Sequence, residues 1–211
     1  MALFQKNPHN NTEKQSLYTL GLTKNILIVG LGNKGKDYTG TRHNIGFECL
    51  DAFVRATELP DFIDKKDLSC LHTSGTIGDS RVIAIKPTTF MNLSGKAVQA
   101  AANFYKIPLD QIVVVHDELD IPFGQIRTRV GGADAGNNGI KSIIQHMGPD
   151  FGRVRIGIKA ETPMESSDFV LAKFSPGEQK QLPNLIKETT AILTEYVYSG
   201  QLAHETRKFI V

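Results

Sequence analysis

The sequence predicts an α/β protein that forms a single domain. Aliphatic runs typical of buried strands, at residues 26–29 and 111–116, alternate with segments in which apolar residues recur at helical spacing. The chain has 211 residues, a length that suits one domain with a substantial core. Its composition, 40% hydrophobic and 22% charged, is typical of a soluble globular protein.

The composition also argues against several classes of protein. No apolar run approaches the length that crosses a bilayer, and residues 1–24 lack the apolar core of a secretory signal. We therefore predict a cytoplasmic protein without membrane contact, with residues 1–24 as a flexible N-terminal extension and residues 25–211 as the domain. Cys49 and Cys70 suit a reducing compartment. None of the histidines forms a pair at zinc-binding spacing, so we expect no metal site.

The stretch at residues 26–47, ILIVGLGNKGKDYTGTRHNIGF, organises the prediction. A buried strand breaks at Gly30 into a glycine-rich loop, and a helical pattern begins at about Asn44. Such a loop presents polar side chains at the edge of a sheet. Here these are Asn33, Tyr38, Arg42, His43 and Asn44. His43 stands where the loop enters the helix, a position that suits a capping or packing residue, or a base that accepts a proton near neutral pH.

The same loop fits G-x-G-x-x-G, the fingerprint of a dinucleotide site, at Gly30, Gly32 and Gly35. That site needs a helix opening at the third glycine, and an acidic residue about 20 positions on at the end of a second strand. Residues 36–42 show no helical periodicity, and Asp51 falls within the helix itself. The fingerprint alone is therefore weak evidence for a nucleotide cofactor.

Two further loops carry candidate site residues. Phe90, Met91 and Asn92 lie between a predicted hairpin strand and a helix; the first two suit packing, whereas the amide of Asn92 needs hydrogen-bond partners in the protein or in a ligand. The strand at residues 111–116 runs into Asp117, whose carboxylate suits a turn cap or an orienting partner for an imidazole. His116 should face the opposite side of that strand.

Positive charge is concentrated between residues 125 and 159, around a glycine loop at 131–139. Alternate spacing places Arg127 with Arg129, and Arg153 with Arg155, on shared strand faces. A solvated surface is one interpretation, and contact with a phosphate backbone is the interpretation that the clustering favours. Farther on, Ser175 followed by proline and glutamate predicts the start of a helix that continues to about Tyr196 and covers the sheet.

Taken together, these motifs resemble bacterial-type peptidyl-tRNA hydrolase over roughly residues 25–199. The matching blocks, in order, are GLGNKGKDYTGTRHNIGF, KPTTFMNLSG, HDELDIPFGQIR, the glycine loop ending in NNGIKSI, and FGRVRIGI. The resemblance implies an α/β domain with a twisted mixed β-sheet flanked by α-helices. It also implies a monomeric enzyme without cofactors that hydrolyses the ester between peptide and tRNA at the acceptor end, recycling tRNA from prematurely released chains.

The resemblance assigns roles to three residues in the reaction. His43 corresponds to the general base, Asp117 to the acid that orients it, and Asn33 to a residue that helps distinguish peptidyl from unblocked aminoacyl substrates. Ester hydrolysis needs an activated water, donors for the carbonyl oxygen and a group that returns a proton to the departing ribose hydroxyl. An imidazole, a carboxylate and several amides supply these groups, without a metal.

Six further residues match binding positions of the family. Asn92 and Asn138 match amides that hold substrate and water, and Tyr38 and Phe90 match residues that line the substrate site. The matches to basic residues that contact tRNA phosphates are Arg129 and Arg155.

Two positions depart from the family pattern. Lys34 stands where proline is usual, and Asn137 stands where histidine is usual. These departures leave open a second hypothesis, a catalytically inactive relative that binds RNA.

Overall fold

The computed structural model describes residues 24–159 and 166–209. Apart from Lys24, the predicted N-terminal extension lies outside these ranges. The described strands form one eight-stranded sheet in the order β2-β3-β4-β1-β5-β7-β6-β8. The strands are β1 Lys24–Gly30, β2 Ile63–Lys65, β3 Cys70–Ile77, β4 Ser80–Pro87, β5 Ile112–Pro122, β6 Gln125–Val130, β7 Gly152–Lys159 and β8 Thr206–Lys208.

The sheet is mixed. Its central strands β4, β1, β5 and β7 are parallel, and the outer pairings β2-β3, β3-β4, β7-β6 and β6-β8 are antiparallel. Helices cover both faces. They are α1 Ile45–Ala56, α2 Ser94–Tyr105, α3 Asn138–Met147, α4 Ser166–Leu171, α5 Pro176–Gln179 and α6 Leu182–Ser199. The predicted α/β class, with a mixed sheet flanked by helices, is confirmed.

Alternation along β1 divides the core into two layers. Ile26 and Ile28 belong to the cluster that α1 and α6 complete, whereas Leu27 and Val29 belong to the cluster beneath α2 and α3. All four side chains are at most 1% exposed. The short aliphatic run is therefore a strand buried on both faces, as parallel strands covered by helices usually are.

Helix α1 starts close against the sheet because two glycines meet there. A Cβ at Gly46 would lie 2.4 Å from the carbonyl oxygen of Val115 and 2.6 Å from that of Leu31. A Cβ at Gly30 would lie 2.5 Å from the carbonyl oxygen of Gly46. Only residues without side chains permit this approach, which fixes the start of α1 next to the carboxyl ends of β1 and β5.

Two elements differ from the sequence-based expectation. Strand β5 continues to Pro122, because Asp117 and Glu118 still pair with the parallel neighbour β7. The single helix expected from Ser175 to about Tyr196 is two helices, α5 and α6. Ser175 does form the expected capping box with Glu178, and Pro183 lies in the first turn of α6, where its missing N–H costs no helical hydrogen bond.

Candidate active site

The candidate site lies at the carboxyl edge of the parallel strands, where α/β proteins commonly bind ligands. A short 3₁₀ helix, Arg42–Asn44, brings His43 to this edge, and β5 brings Asp117. His43 Nδ1 lies 2.8 Å from Asp117 Oδ2. His43 is 8% exposed and Asp117 is 2% exposed. Two residues 74 positions apart in sequence therefore form a buried imidazole–carboxylate pair.

The pair is arranged to keep one ring nitrogen basic. An ionised carboxylate only accepts hydrogen bonds, so the Nδ1–H group of His43 donates to Asp117 and Nε2 keeps its lone pair. Burial lowers the pKa of His43, but the charge of Asp117 and its hydrogen bond together outweigh burial, so the pKa lies above the ordinary value of 6.5. Such a ring can take a proton from water.

Asn137 completes the environment of Asp117. Its Nδ2 donates to Asp117 Oδ1 at 2.9 Å, while its Oδ1 accepts from the backbone N–H groups of Gly139 and Ile140 at 3.0 and 3.2 Å. Asn137 is thus the N-cap of α3 and also a partner of the carboxylate. The sequence-based assignment missed the second role, although an asparagine immediately before a helical pattern indicates the first.

A cavity of about 200 Å³ opens beside the pair. Of the predicted site residues, the structure brings His43, Asp117 and Asn138 together in its lining. Asn138 is exposed and is the first residue of α3. Other lining residues are Glu118, Leu119, Asn137, Ser167 and Val170.

Asn33 lies outside this lining but is held firmly nearby. Its backbone N–H donates to Asn44 Oδ1 at 2.8 Å, and Asn44 Nδ2 donates back to its carbonyl at 3.0 Å. The side-chain Oδ1 of Asn33 accepts the backbone N–H of Met91 at 3.0 Å. Asn33 therefore connects the first loop to the loop that carries Phe90 and Asn92, and its Nδ2 makes no hydrogen bond to the residues that the structure describes.

The other predicted substrate residues are partly or largely exposed. Phe90 is 62% exposed, so the packing role considered for it is wrong, whereas Met91 is 5% exposed and does pack. Asn92 is exposed and Tyr38 is half-buried. None of these three side chains, Phe90, Asn92 and Tyr38, lines the cavity that holds His43.

The predicted basic strands form a patch of four arginines. Arg127 lies directly opposite Arg155, and Arg129 directly opposite Arg153, on the antiparallel strands β6 and β7. Arg153 is only 1% exposed, and its Nη2 donates to the carbonyl of Gly132 at 2.6 Å. Arg153 therefore binds the glycine loop and does not contribute to a solvated surface.

Arg129 and Arg155, the predicted phosphate contacts, are half-buried in this patch. Burial and the neighbouring Arg129 lower the pKa of Arg155. Like charges directly opposite each other on a sheet are unfavourable, so the patch suits an anion.

Within residues 24–159 and 166–209, no group of three or more histidine, cysteine, aspartate or glutamate side chains could hold a metal ion. In the part of the chain that the structure describes, no helix combines the length and apolar character needed to span a membrane.

Comparison with known proteins agrees with the sequence motifs. The family model described as "Peptidyl-tRNA hydrolase" matches residues 27–210. A peptidyl-tRNA hydrolase of Chlorobium phaeobacteroides (strain BS1) is 45% identical over 185 residues, 87% of this chain and 96% of that protein. The chloroplastic enzyme of Arabidopsis thaliana is 46% identical over 159 residues, 74% of this chain and 54% of that protein.

The fold agrees as well. A crystal structure of peptidyl-tRNA hydrolase from Acinetobacter baumannii superimposes with a TM-score of 0.78 at 34% identity, covering 83% of this chain and 89% of that one. The family model spans most of the sequence, and relatives well above 30% identity cover more than two thirds of it. This chain belongs to the peptidyl-tRNA hydrolase family.

Proposed function

We propose that the protein hydrolyses the ester bond between peptide and tRNA in peptidyl-tRNA, with His43 as the general base. The observation that carries this proposal is the 2.8 Å hydrogen bond between His43 and Asp117 at the wall of a cavity. The bond leaves Nε2 as the basic nitrogen, and the raised pKa of His43 makes the ring a stronger proton acceptor.

In this mechanism His43 Nε2 removes a proton from a water molecule, which attacks the ester carbonyl. Asp117 holds the ring in the required tautomer and stabilises the imidazolium that forms. Because Asn137 and His43 occupy both oxygens of Asp117, the carboxylate stays fixed as the proton moves. The imidazolium then returns the proton to the departing ribose hydroxyl, so that the acid and the base are one residue.

The amides and the arginine patch supply binding. Asn138 lines the cavity, and the Nδ2 of Asn33, which makes no hydrogen bond to the described residues, suits a carbonyl of the peptide. We assign three further side chains to contacts with the part of the peptide that extends beyond the cavity. They are the third amide, Asn92, and the surface residues Tyr38 and Phe90. Arg129 and Arg155 bind phosphates of the tRNA acceptor end. The reaction as written uses no metal, and the family resemblance supports a cytoplasmic monomer.

The test is hydrolysis of an N-acetylaminoacyl-tRNA by the purified protein, with and without a metal chelator. We expect release of the N-acetylamino acid in both conditions. His43→Ala should lose roughly 10²- to 10⁴-fold in rate because positioned acid-base catalysis is removed, while a mobility shift still reports tRNA binding.

His204→Ala is the control histidine variant, since His204 is exposed and does not line the cavity that holds His43. A normal rate in His43→Ala would remove His43 from the mechanism. Binding without release by the wild-type protein would favour the second hypothesis, an inactive RNA-binding relative. Loss of activity with the chelator would contradict the metal-independent reaction.

A further inference from the structure

Glu118 is a buried carboxylate in the cavity that the mechanism does not use. It follows Asp117 in β5, is 4% exposed and lines the same cavity as His43 and Asn138. Its Oε1 accepts one long hydrogen bond, 3.4 Å from the backbone N–H of Asp120. Within the described residues, its Oε2 has no hydrogen-bond partner and no ion pair.

Such an arrangement is costly unless something else compensates it. Burial raises the pKa of Glu118 above the ordinary value of 4.5, while the hydrogen bond from Asp120 and the charge of Arg155 act in the opposite direction. A buried carboxylate normally has several donors around it. Among the described residues Glu118 has a single weak one, and the residue lines the cavity, so its remaining acceptor capacity is available there.

Asp117, the other carboxylate in the lining, cannot serve the substrate in the same way. Its Oδ2 is held by His43 and its Oδ1 by Asn137. Of the two carboxylates in the lining, Glu118 is therefore the one available to accept a hydrogen bond from a hydroxyl group of the substrate.

The position of Glu118 also fits the path of the substrate. Strand alternation places Glu118 on the same face as His116, whose cross-strand partner is Arg155. Glu118 thus lies on the face of the sheet that carries the arginine patch, opposite to Asp117, and it also lines the cavity that holds His43. In peptidyl-tRNA, the terminal ribose joins the phosphate backbone to the ester, so it must lie between the phosphate contacts and the base.

We propose that Glu118 accepts a hydrogen bond from the free 2′-hydroxyl of the terminal ribose and thereby selects RNA over DNA at the 3′ end. The proposal rests on the proposed function. A 2′-hydroxyl is the group by which proteins distinguish the two nucleic acids at a given position. Its donor matches an unpaired carboxylate oxygen, and such charge-assisted hydrogen bonds are among the stronger ones.

The test compares two substrates that differ only in the terminal nucleotide, which carries either ribose or 2′-deoxyribose with the acyl group at the 3′ position. The wild-type protein should prefer ribose in kcat/KM. Glu118→Leu should lower that preference roughly tenfold to hundredfold, acting on the ribose substrate alone, since a hydrogen bond to a charged group is removed. The effect of the hydroxyl on the intrinsic reactivity of the ester cancels when the two proteins are compared.

Two further variants make the result decisive. Glu118→Gln keeps an acceptor oxygen without the charge, so the preference should fall less than in Glu118→Leu; it also replaces that variant if thermal unfolding shows that leucine is not tolerated. Glu48→Leu is the matched control, because Glu48 lies on α1 outside the cavity and burial likewise raises its pKa.

The outcomes separate the two proposals. An unchanged ribose preference in the folded Glu118 variants, with normal hydrolysis by the wild type, would overturn the role of Glu118 and leave the proposed function standing. Failure of the wild type to hydrolyse either substrate would overturn the proposed function itself.

Discussion

At the scale of single residues, the site depends on a chain of contacts from the start of α3 to the imidazole. Asn137 caps the helix with its oxygen and holds Asp117 with its nitrogen, and Asp117 in turn orients His43. A carboxamide does not titrate, so this support for the carboxylate is independent of pH. Unlike a histidine, Asn137 places no titratable group beside Asp117 while it donates a hydrogen bond to the carboxylate.

The raised pKa of His43 predicts a particular pH profile. Neutral His43 is the active form, so kcat/KM should rise with pH through a value above 6.5. In Asp117→Asn the carboxylate no longer opposes the lowering of the His43 pKa by burial. The rise in kcat/KM should therefore move to lower pH while the maximal rate falls. The measurement is kcat/KM from about pH 5 to about pH 9. Asp61→Asn, a change at an exposed aspartate, is the control and should keep the pH profile of the wild type.

The same shift affects stability with a defined sign. A histidine whose pKa is raised in the folded state adds fully to the free energy of unfolding below its unfolded pKa of about 6.5. That contribution is lost as the pH rises through the folded value.

The pH profile of kcat/KM also tests the pair. A rise in kcat/KM at the same pH in Asp117→Asn and in the wild type would contradict the role assigned to the pair.

The sequence predicted some of these residues and missed others for a physical reason. His43 and Asp117 each follow a strand pattern, and carboxyl ends of parallel strands meet at one edge, so their proximity could be expected. The contact between Asn137 and Asp117 depends on the path of the glycine loop, which carries no periodic signal. Arg153 was grouped with the exposed arginines because strand alternation does not reveal that the same loop covers it.

At the scale of elements, the fit of α1 against the sheet determines where His43 lies. The 3₁₀ helix that carries His43 leads directly into α1, and Gly46 in its first turn lies against the backbone of β5. Any residue larger than glycine there must push the helix outward, and this movement would also displace the imidazole from Asp117.

Gly46→Ala should therefore destabilise the protein by about 1 to 3 kcal/mol, the usual cost of overpacking, because the added methyl group meets backbone atoms that cannot rotate away. Urea unfolding measures the difference. Gly177→Ala is the matched control: Gly177 is the second residue of α5 as Gly46 is of α1, but a Cβ added there would have no atom within 4 Å. It should be neutral or stabilise by up to about 1 kcal/mol. Equal stability of the two variants would contradict the close approach.

Element boundaries were the least predictable part of the fold. The acidic residues after His116 suggested the end of a strand, yet β7 continues beside them and supplies hydrogen-bond partners. Apolar spacing from Ser175 to Tyr196 suggested one helix, yet the chain breaks before Leu182 and restarts with Pro183 in the new first turn. Local patterns identify which elements form, and neighbours in space decide how long they are.

At the scale of the whole molecule, charge is distributed very unevenly. The chain carries a net charge of only +2, but the segment at residues 125–159 contains six lysines and arginines and two aspartates. Folding places four of these arginines on two adjacent strands, on the face of the sheet that α2 and α3 cover and beside the glycine loop that reaches the cavity. A small net charge thus conceals a concentration of positive charge on one face of the sheet.

Arg155→Ala should weaken binding of deacylated tRNA and reduce its dependence on salt. Each phosphate contact releases about one counterion, so the slope of log K against log salt concentration should become shallower by about 0.7 to 0.9. Arg155 is the best probe because its guanidinium makes no hydrogen bond to the described residues, whereas Arg129 also holds the carbonyl of Gly131. Arg55→Ala, an exposed position on α1 behind the opposite face, is the control and should keep the wild-type slope. An unchanged slope in Arg155→Ala and in Arg129→Ala would place the tRNA phosphates elsewhere on the molecule, and the terminal ribose could then not be assumed to pass Glu118.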